Sequence, residues 1–305
     1  MNVGSLLPRH ARYRSDHTAL VVGDRRMSFR ELNRYVNCLA NGLLASGLKK
    51  GDKLTTVLPN GLELMATFWA AGKTGIVVVP ASPMLQDAGL ATLIDDSDTA
   101  MVIAGAAFAA TLDRIRSELP KVAADRFVLV GKGGDRAGFV SYDALIAGGS
   151  EDEPPDADLR GDDVFNIMYS SGTTGLPKGI VHTHDVRAAF CELFASTFRI
   201  TPESIVLHAG SIVFNGAWVD MLPWMFVGAT YILHEAFDAE RVIATIEREK
   251  VTHIIMVPSQ IIAVLSSPAY DPAKLASLEM LQSIGAPLLL EHKRRLIEEL
   301  PGRFY

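Results

Sequence analysis

The stretch Tyr169-Ser-Ser-Gly-Thr-Thr-Gly-Leu-Pro-Lys-Gly179 decides how the rest of the chain is read. It suits neither a stable helix nor a central strand. Gly172, Gly175 and Gly179 permit positive φ and close backbone approach, while Pro177 removes a donor and fixes φ. Exposed amides, the hydroxyls of Ser170, Ser171, Thr173 and Thr174, and the Lys178 ammonium together suit a polyphosphate. The apolar run Val164-Phe-Asn-Ile-Met168 precedes the stretch and Ile180-Val181 follows it, so the pattern predicts strand, loop, strand. A Walker A loop differs, because it needs Gly-x-x-x-x-Gly-Lys-Ser/Thr opening a helix. Here Lys178 is followed by Gly179 and then by a β-branched residue, which disfavours a kinase or ATPase of that type. The plain alternative is a surface turn, since clusters of Ser, Thr and Gly are commonly loops.

Upstream of the stretch, strands and helices alternate. Ala19–Val22 and Met27–Phe29 flank Gly23-Asp-Arg-Arg26 and predict a hairpin. Ser28 then caps a helix, with Glu31 completing a capping box and Leu32, Tyr35, Val36, Leu39, Ala40, Leu43 and Leu44 on one face. Strands are predicted over 53–58, 76–79, 100–104 and 126–130, and helices over 62–73, 86–95 and 108–119. Val77, Val78 and Val79 are apolar on both faces, as a central parallel strand requires. The segment from Gly148 to Arg160, rich in Gly, Pro, Asp and Glu, is the best linker candidate. Downstream, Thr183 or Asp185 caps a helix running to about Phe198. Strands follow at 204–208, 230–233, 253–257 and 280–284, with helices at 239–250, 260–266 and 289–300. The apolar stretch from Ile212 to Val227 must be buried or line a cavity. Such alternation predicts βαβ units and mainly parallel sheets.

The 305 residues are 49% hydrophobic, enough for a large core and for two lobes. The net charge of −6 is spread along the chain with no Lys/Arg stripe, which argues against a nucleic-acid partner. Cys38 and Cys191 lie in apolar helical contexts and read as free thiols. His182 and His184 form a lone His-x-His, too little to propose a metal site. No secretory signal and no membrane-spanning apolar run is visible, so the expected location is the cytoplasm.

The order of residues in the 169–179 stretch resembles the phosphate loop of the adenylate-forming (AMP-binding) superfamily, which includes acyl-CoA synthetases. Further blocks resemble that family in order and spacing: Phe29-Arg-Glu-Leu32, Gly47-Leu-Lys-Lys-Gly-Asp52, Leu58-Pro-Asn60, Lys73-Thr-Gly75, Val257-Pro-Ser259 and Gly285-Ala-Pro287. The resemblance implies an α/β protein of two stacked, mainly parallel β-sheet subdomains flanked by helices. One subdomain is expected over about 50–184, and the other over about 1–49 plus 185–305. It also implies an acid–thiol ligase that uses ATP and Mg²⁺ to make an acyl-adenylate and then passes the acyl group to CoA.

The same resemblance assigns Thr173, Thr174 and Lys178 to catalysis, and Ser170, Ser171, Gly172 and Gly175 with them to the phosphates. Gly285, Ala286, Pro287 and Tyr305 are implied to border the nucleotide, and Phe214, Asn215, Gly216 and Ser259 the acid. Without the family, Phe214 would read as a core aromatic, and Gly285–Pro287 as an ordinary turn. Amino-acid-activating relatives place Asp where this chain has Asn215, so an α-amino acid is disfavoured. Aliphatic and aryl acids both remain open. Tyr305 resembles the first residue of a Tyr-Gly-x-Thr-Glu block, so the chain reads as a truncated large domain without its small C-terminal domain. A fragment that binds nucleotide or acyl groups without catalysis is the alternative.

Overall fold

The computed structural model of the protein describes residues 1–170 and 178–305. In chain order the elements begin with α1 (Leu6–Tyr13), β1 (Thr18–Val22), β2 (Arg25–Ser28), α2 (Phe29–Ala45), β3 (Lys53–Val57) and α3 (Leu62–Thr74). Next come β4 (Val77–Pro80), α4 (Asp87–Asp96), β5 (Thr99–Gly105), α5 (Ala109–Ile115), β6 (Phe127–Val130), β7 (Val140–Ser141) and α6 (Tyr142–Ala147). Then follow β8 (Val164–Ser170), β9 (Lys178–Thr183), α7 (His184–Phe198), β10 (Ile205–His208), α8 (Trp218–Val227) and β11 (Thr230–Leu233). The chain closes with α9 (Ala239–Glu249), β12 (His253–Met256), α10 (Pro258–Ser266), β13 (Met280–Ser283) and α11 (Leu290–Glu299).

The chain divides into two compact units. The first comprises Met1–Tyr13 and Arg30–Ala188. Its seven-stranded sheet has the order β7-β6-β5-β3-β4-β8-β9 and is parallel except for the β8–β9 pair. β4 is buried on both faces, as its unbroken valines require. α3 is buried nearly all round and carries apolar or small residues on every side, the pattern of an internal helix.

The second unit comprises Arg14–Phe29 and Ala189–Tyr305. Its six-stranded sheet has the order β13-β12-β10-β11-β1-β2, and only the β1–β2 hairpin is antiparallel. Gly23 makes the hairpin turn with φ of +56°, a value most residues avoid. Leu207, Ile254, Leu281, Val242, Ile246 and Leu296 pack one core from three strands and two helices. The carboxyl ends of β10, β12 and β13 therefore share one edge of the sheet.

Several expectations need correction. Residues 1–13 and 30–49 belong to the first unit, not the second. Gly4 sits so close to α3 that a Cβ there would stand 2.0 Å from the Gly72 carbonyl oxygen. Asn33 and Asn37 on α2 accept from Lys73 Nζ at 2.7 and 2.6 Å. The acidic segment after Gly148 is no linker between units. Asn37 donates to the Glu151 carbonyl at 2.8 Å, and Asn41 to those of Ser150 and Asp152 at 2.9 Å. The helix expected over 108–119 is α5 with 3₁₀ turns at Ala106–Phe108 and Arg116–Glu118. Pro223 lies inside α8 and hid that helix, since proline disfavours a helix interior by about 3 kcal/mol. No helix among the described residues is long and apolar enough to cross a membrane.

Candidate functional site

Ser170 and Lys178 stand opposite each other as the outermost pair of antiparallel β8 and β9, and both are exposed. Ser170 thus ends β8 and Lys178 opens β9. The expectations placed on Ser171, Gly172, Thr173, Thr174 and Gly175 lie outside the described residues. In the next pair of the ladder Gly179 stands opposite Tyr169, and a Cβ at Gly179 would be 3.1 Å from Tyr169 Cζ. Glycine there lets the phenol ring lie across the strand. The Tyr169 hydroxyl donates to Asp96 at 2.5 Å, and burial together with that carboxylate raises its pKa well above the ordinary phenol value.

In the second unit, the segments leaving β10, β12 and β13 line one cavity of about 220 Å³. β10 and the turn after it supply His208, Phe214 and Gly216. The β12 end supplies Val257 and Gln260, and the β13 end supplies Ile284. Open α/β sheets place ligands at the carboxyl ends of their strands for this reason: loops from adjacent strands converge there. Phe214 is 53% exposed, so it is not a core aromatic. A Cβ added at Gly216 would meet Ile284 Cδ1 at 3.6 Å, ordinary contact distance.

Polar groups bound the same cavity. His208 Nδ1 lies 2.9 Å from Asp220 Oδ2, and the Tyr231 hydroxyl donates to Asp220 Oδ1 at 3.0 Å. Asp220 is fully buried, and the His208 and Tyr231 rings stack with centroids 6.3 Å apart. Gln260 Oε1 accepts from the Val257 amide at 3.2 Å, which orients its side chain. None of His208, Asp220 and Gln260 was singled out from the sequence. The available signal was position, since His208 and Gln260 sit at or just after predicted strand ends.

The remaining candidates fall in different places. Gly285 has φ of +89° and brings the turn after β13 close to Val257, whose Cγ1 would be 3.5 Å from an added Cβ. Ala286 and Pro287 are exposed beyond it. Asn215 is exposed at the start of a 3₁₀ turn, and Ser259 is exposed in the first turn of α10 beside Gln260. Tyr305 pairs through its backbone with β13, donating to the Leu281 carbonyl at 2.9 Å and accepting from Ser283 at 3.1 Å. Its hydroxyl accepts from Arg199 at 2.9 Å.

The family model described as AMP-binding enzyme matches residues 7–305. A feruloyl-CoA synthase of Amycolatopsis sp is 33% identical over 299 residues, which is 97% of this chain and 57% of that protein. The long-chain-fatty-acid–CoA ligase FadD13 of Mycobacterium tuberculosis is 32% identical over 228 residues, 75% of this chain and 44% of that protein. The chain thus spans about half the length of these curated relatives. The inhibitor-bound crystal structure of the N-terminal domain of FACL13 from Mycobacterium tuberculosis superposes with a TM-score of 0.86 at 27% identity. That match covers 98% of this chain and 73% of the solved one.

Proposed function

The chain belongs to the AMP-binding enzyme family, and from that membership we propose that it supplies the acid- and nucleotide-binding part of an ATP-dependent acid–thiol ligase. The observation that carries the reading is the convergence of the β10, β12 and β13 ends on one mainly apolar cavity, suited to the tail of a carboxylic acid. Both curated relatives are named for joining an acid to CoA.

In the proposed reaction a carboxylate oxygen attacks the α-phosphorus of ATP, the bond to pyrophosphate breaks, and an acyl-adenylate forms. The sulfur of CoA then attacks the acyl carbonyl and loses its proton, and AMP departs. Both reactants of the first step are anions, so the site must present donors and positive charge in a fixed arrangement. In this reading the hydroxyls and amides of residues 170–175, with the Lys178 cation, hold the β- and γ-phosphates. Gly285–Pro287 and Tyr305 border the nucleotide, while Phe214, Asn215 and Gly216 border the acid. Among the described residues no three His, Cys, Asp or Glu side chains gather as a cage for Mg²⁺, so no step is assigned to that ion.

The test is acid-dependent exchange of labelled pyrophosphate into ATP by the full-length protein. Exchange that requires both an acid and Lys178 supports the reading. ATP binding without exchange for any acid would leave a binding protein and overturn it.

A further inference from the structure

The polar cluster under the cavity has a definite polarity. A carboxylate only accepts hydrogen bonds, so the 2.9 Å contact to Asp220 places the hydrogen on His208 Nδ1. Tyr231 is wholly buried; burial first, then the Asp220 charge, keeps its hydroxyl protonated and donating to the same carboxylate. With Nδ1 turned to Asp220, Nε2 is the ring nitrogen left for a ligand. That atom belongs to a side chain only 5% exposed that lines the cavity, and it would be 3.3 Å from a Cβ added at Gly210. Gln260 has its oxygen committed to the Val257 amide, and its side-chain nitrogen would be 3.6 Å from the same added Cβ. His208 Nε2 and the Gln260 side-chain nitrogen thus flank one small gap that exists because residue 210 is glycine.

Size limits what can reach that gap. A cavity of about 150 Å³ lined by apolar side chains holds benzene. The space of about 220 Å³ here therefore has room for one substituted ring. A hydroxyl on such a ring can give its hydrogen to His208 Nε2 and take one from Gln260.

Resting on the reading of this cavity as the acid pocket, we propose that it selects a compact single-ring aryl acid bearing a hydroxyl, with His208 accepting the hydroxyl's hydrogen bond. Asp220 and Tyr231 are positioning residues that set the His208 tautomer.

The experiment titrates the chain with benzoate, the hydroxybenzoate isomers, 4-methoxybenzoate and dodecanoate by calorimetry. At least one hydroxybenzoate should bind about ten-fold more tightly than benzoate, the scale of one well-made hydrogen bond. The methoxy acid, which has no hydrogen to give, should show no gain. In Gly210→Ala, and in His208→Phe, the hydroxybenzoate-to-benzoate ratio should fall to about one. Asp220→Asn presents an amide hydrogen to Nδ1 and moves the ring hydrogen to Nε2, so it should raise the methoxy acid relative to benzoate. Gly210→Ala fills the gap beside His208 and leaves Asp220 and Tyr231 unchanged, so it decides the matter if the Asp220 variant fails to fold. An unchanged ratio in Gly210→Ala, or dodecanoate binding more tightly than every aryl acid, overturns the proposal. If acids bind and Gly216→Trp excludes them while the hydroxyl makes no difference, this proposal alone falls. If no acid binds, the acid-pocket reading falls and takes the proposal with it.

Discussion

Lys73 offers the sharpest test of how the first unit is held together. Its ammonium is 3% exposed and donates to Asn33 Oδ1 at 2.7 Å, Asn37 Oδ1 at 2.6 Å and Glu153 Oε2 at 2.7 Å. These bonds tie α3 to α2 and to the irregular segment after Gly148. Replacing Lys73 by Met keeps the length of the side chain and removes every donor. A hydrogen bond to a charged group contributes about 1.5–3 kcal/mol, so a simple sum over the contacts would be several times that. Two effects reduce it. The Glu153 carboxylate is half exposed, so its share is screened by water. Met also escapes the desolvation that holds the Lys73 pKa below its ordinary value, an effect its partners oppose without cancelling. What remains is the cost of stranding partly buried acceptors, on the order of 3 kcal/mol. At about 2–4 °C per kcal/mol for a unit of this size, melting should fall by roughly 6–12 °C. Limited proteolysis within residues 151–160 should accelerate as the segment loses its tether. A melting shift under about 1 °C with unchanged cleavage would refute the reasoning, and show that the Asn side chains hold the segment by themselves.

Stability should also fall with acid. His182, His184 and His234 are buried and held down to about 4, in each case by burial first; for His182 and His234 neighbouring arginines lower the value further. The unfolded chain takes up these protons near pH 6.5, so the contribution is complete above that value and is lost as pH falls towards 4. At pH 5 the loss is on the order of 2 kcal/mol per histidine, and equal urea midpoints at pH 7 and pH 5 would contradict it. Lys178→Ala should leave melting unchanged, because the side chain is exposed, while weakening ATP binding roughly ten- to hundredfold in a titration. A large melting shift with intact ATP affinity would return the stretch to an ordinary turn. Gly216→Trp should exclude bulky acids more than compact ones in a competition assay, since only the added ring, not its Cβ, needs the cavity space. Equal loss for all acids would make the residue structural.

The fold was legible where residue pattern and local geometry agree. Val77 to Val79 could only be a buried strand, and Gly23 with Asp24 could only be a turn between the strands they separate. Close backbone contacts were not legible. A Cβ at Gly149 would stand 1.9 Å from the Cys38 carbonyl oxygen, yet nothing local distinguishes Gly149 from any loop glycine. The acidic segment around it read as a linker because its composition is that of one. Its tethers come from Asn33, Asn37 and Asn41, spaced four apart along one face of α2, and a polar face on an amphipathic helix ordinarily signifies only solvent.

The cavity shows the same division between what a sequence carries and what packing adds. Phe214 and Gly216 were approachable because a family pattern marks their neighbourhood. His208, Asp220 and Tyr231 were scattered residues with no motif between them. Their meeting follows from register: Val206 pairs with Tyr231 on adjacent parallel strands, and His208, two residues further along, points to the same face. α8 then crosses that face with Asp220 in an otherwise apolar sequence, where a lone carboxylate is tolerated only if donors meet it. In the sequence Asp220 merely interrupts a hydrophobic run. Its isolation was the signal, because an acid placed among Trp218, Met221, Leu222 and Trp224 must have its partners waiting on the neighbouring strands.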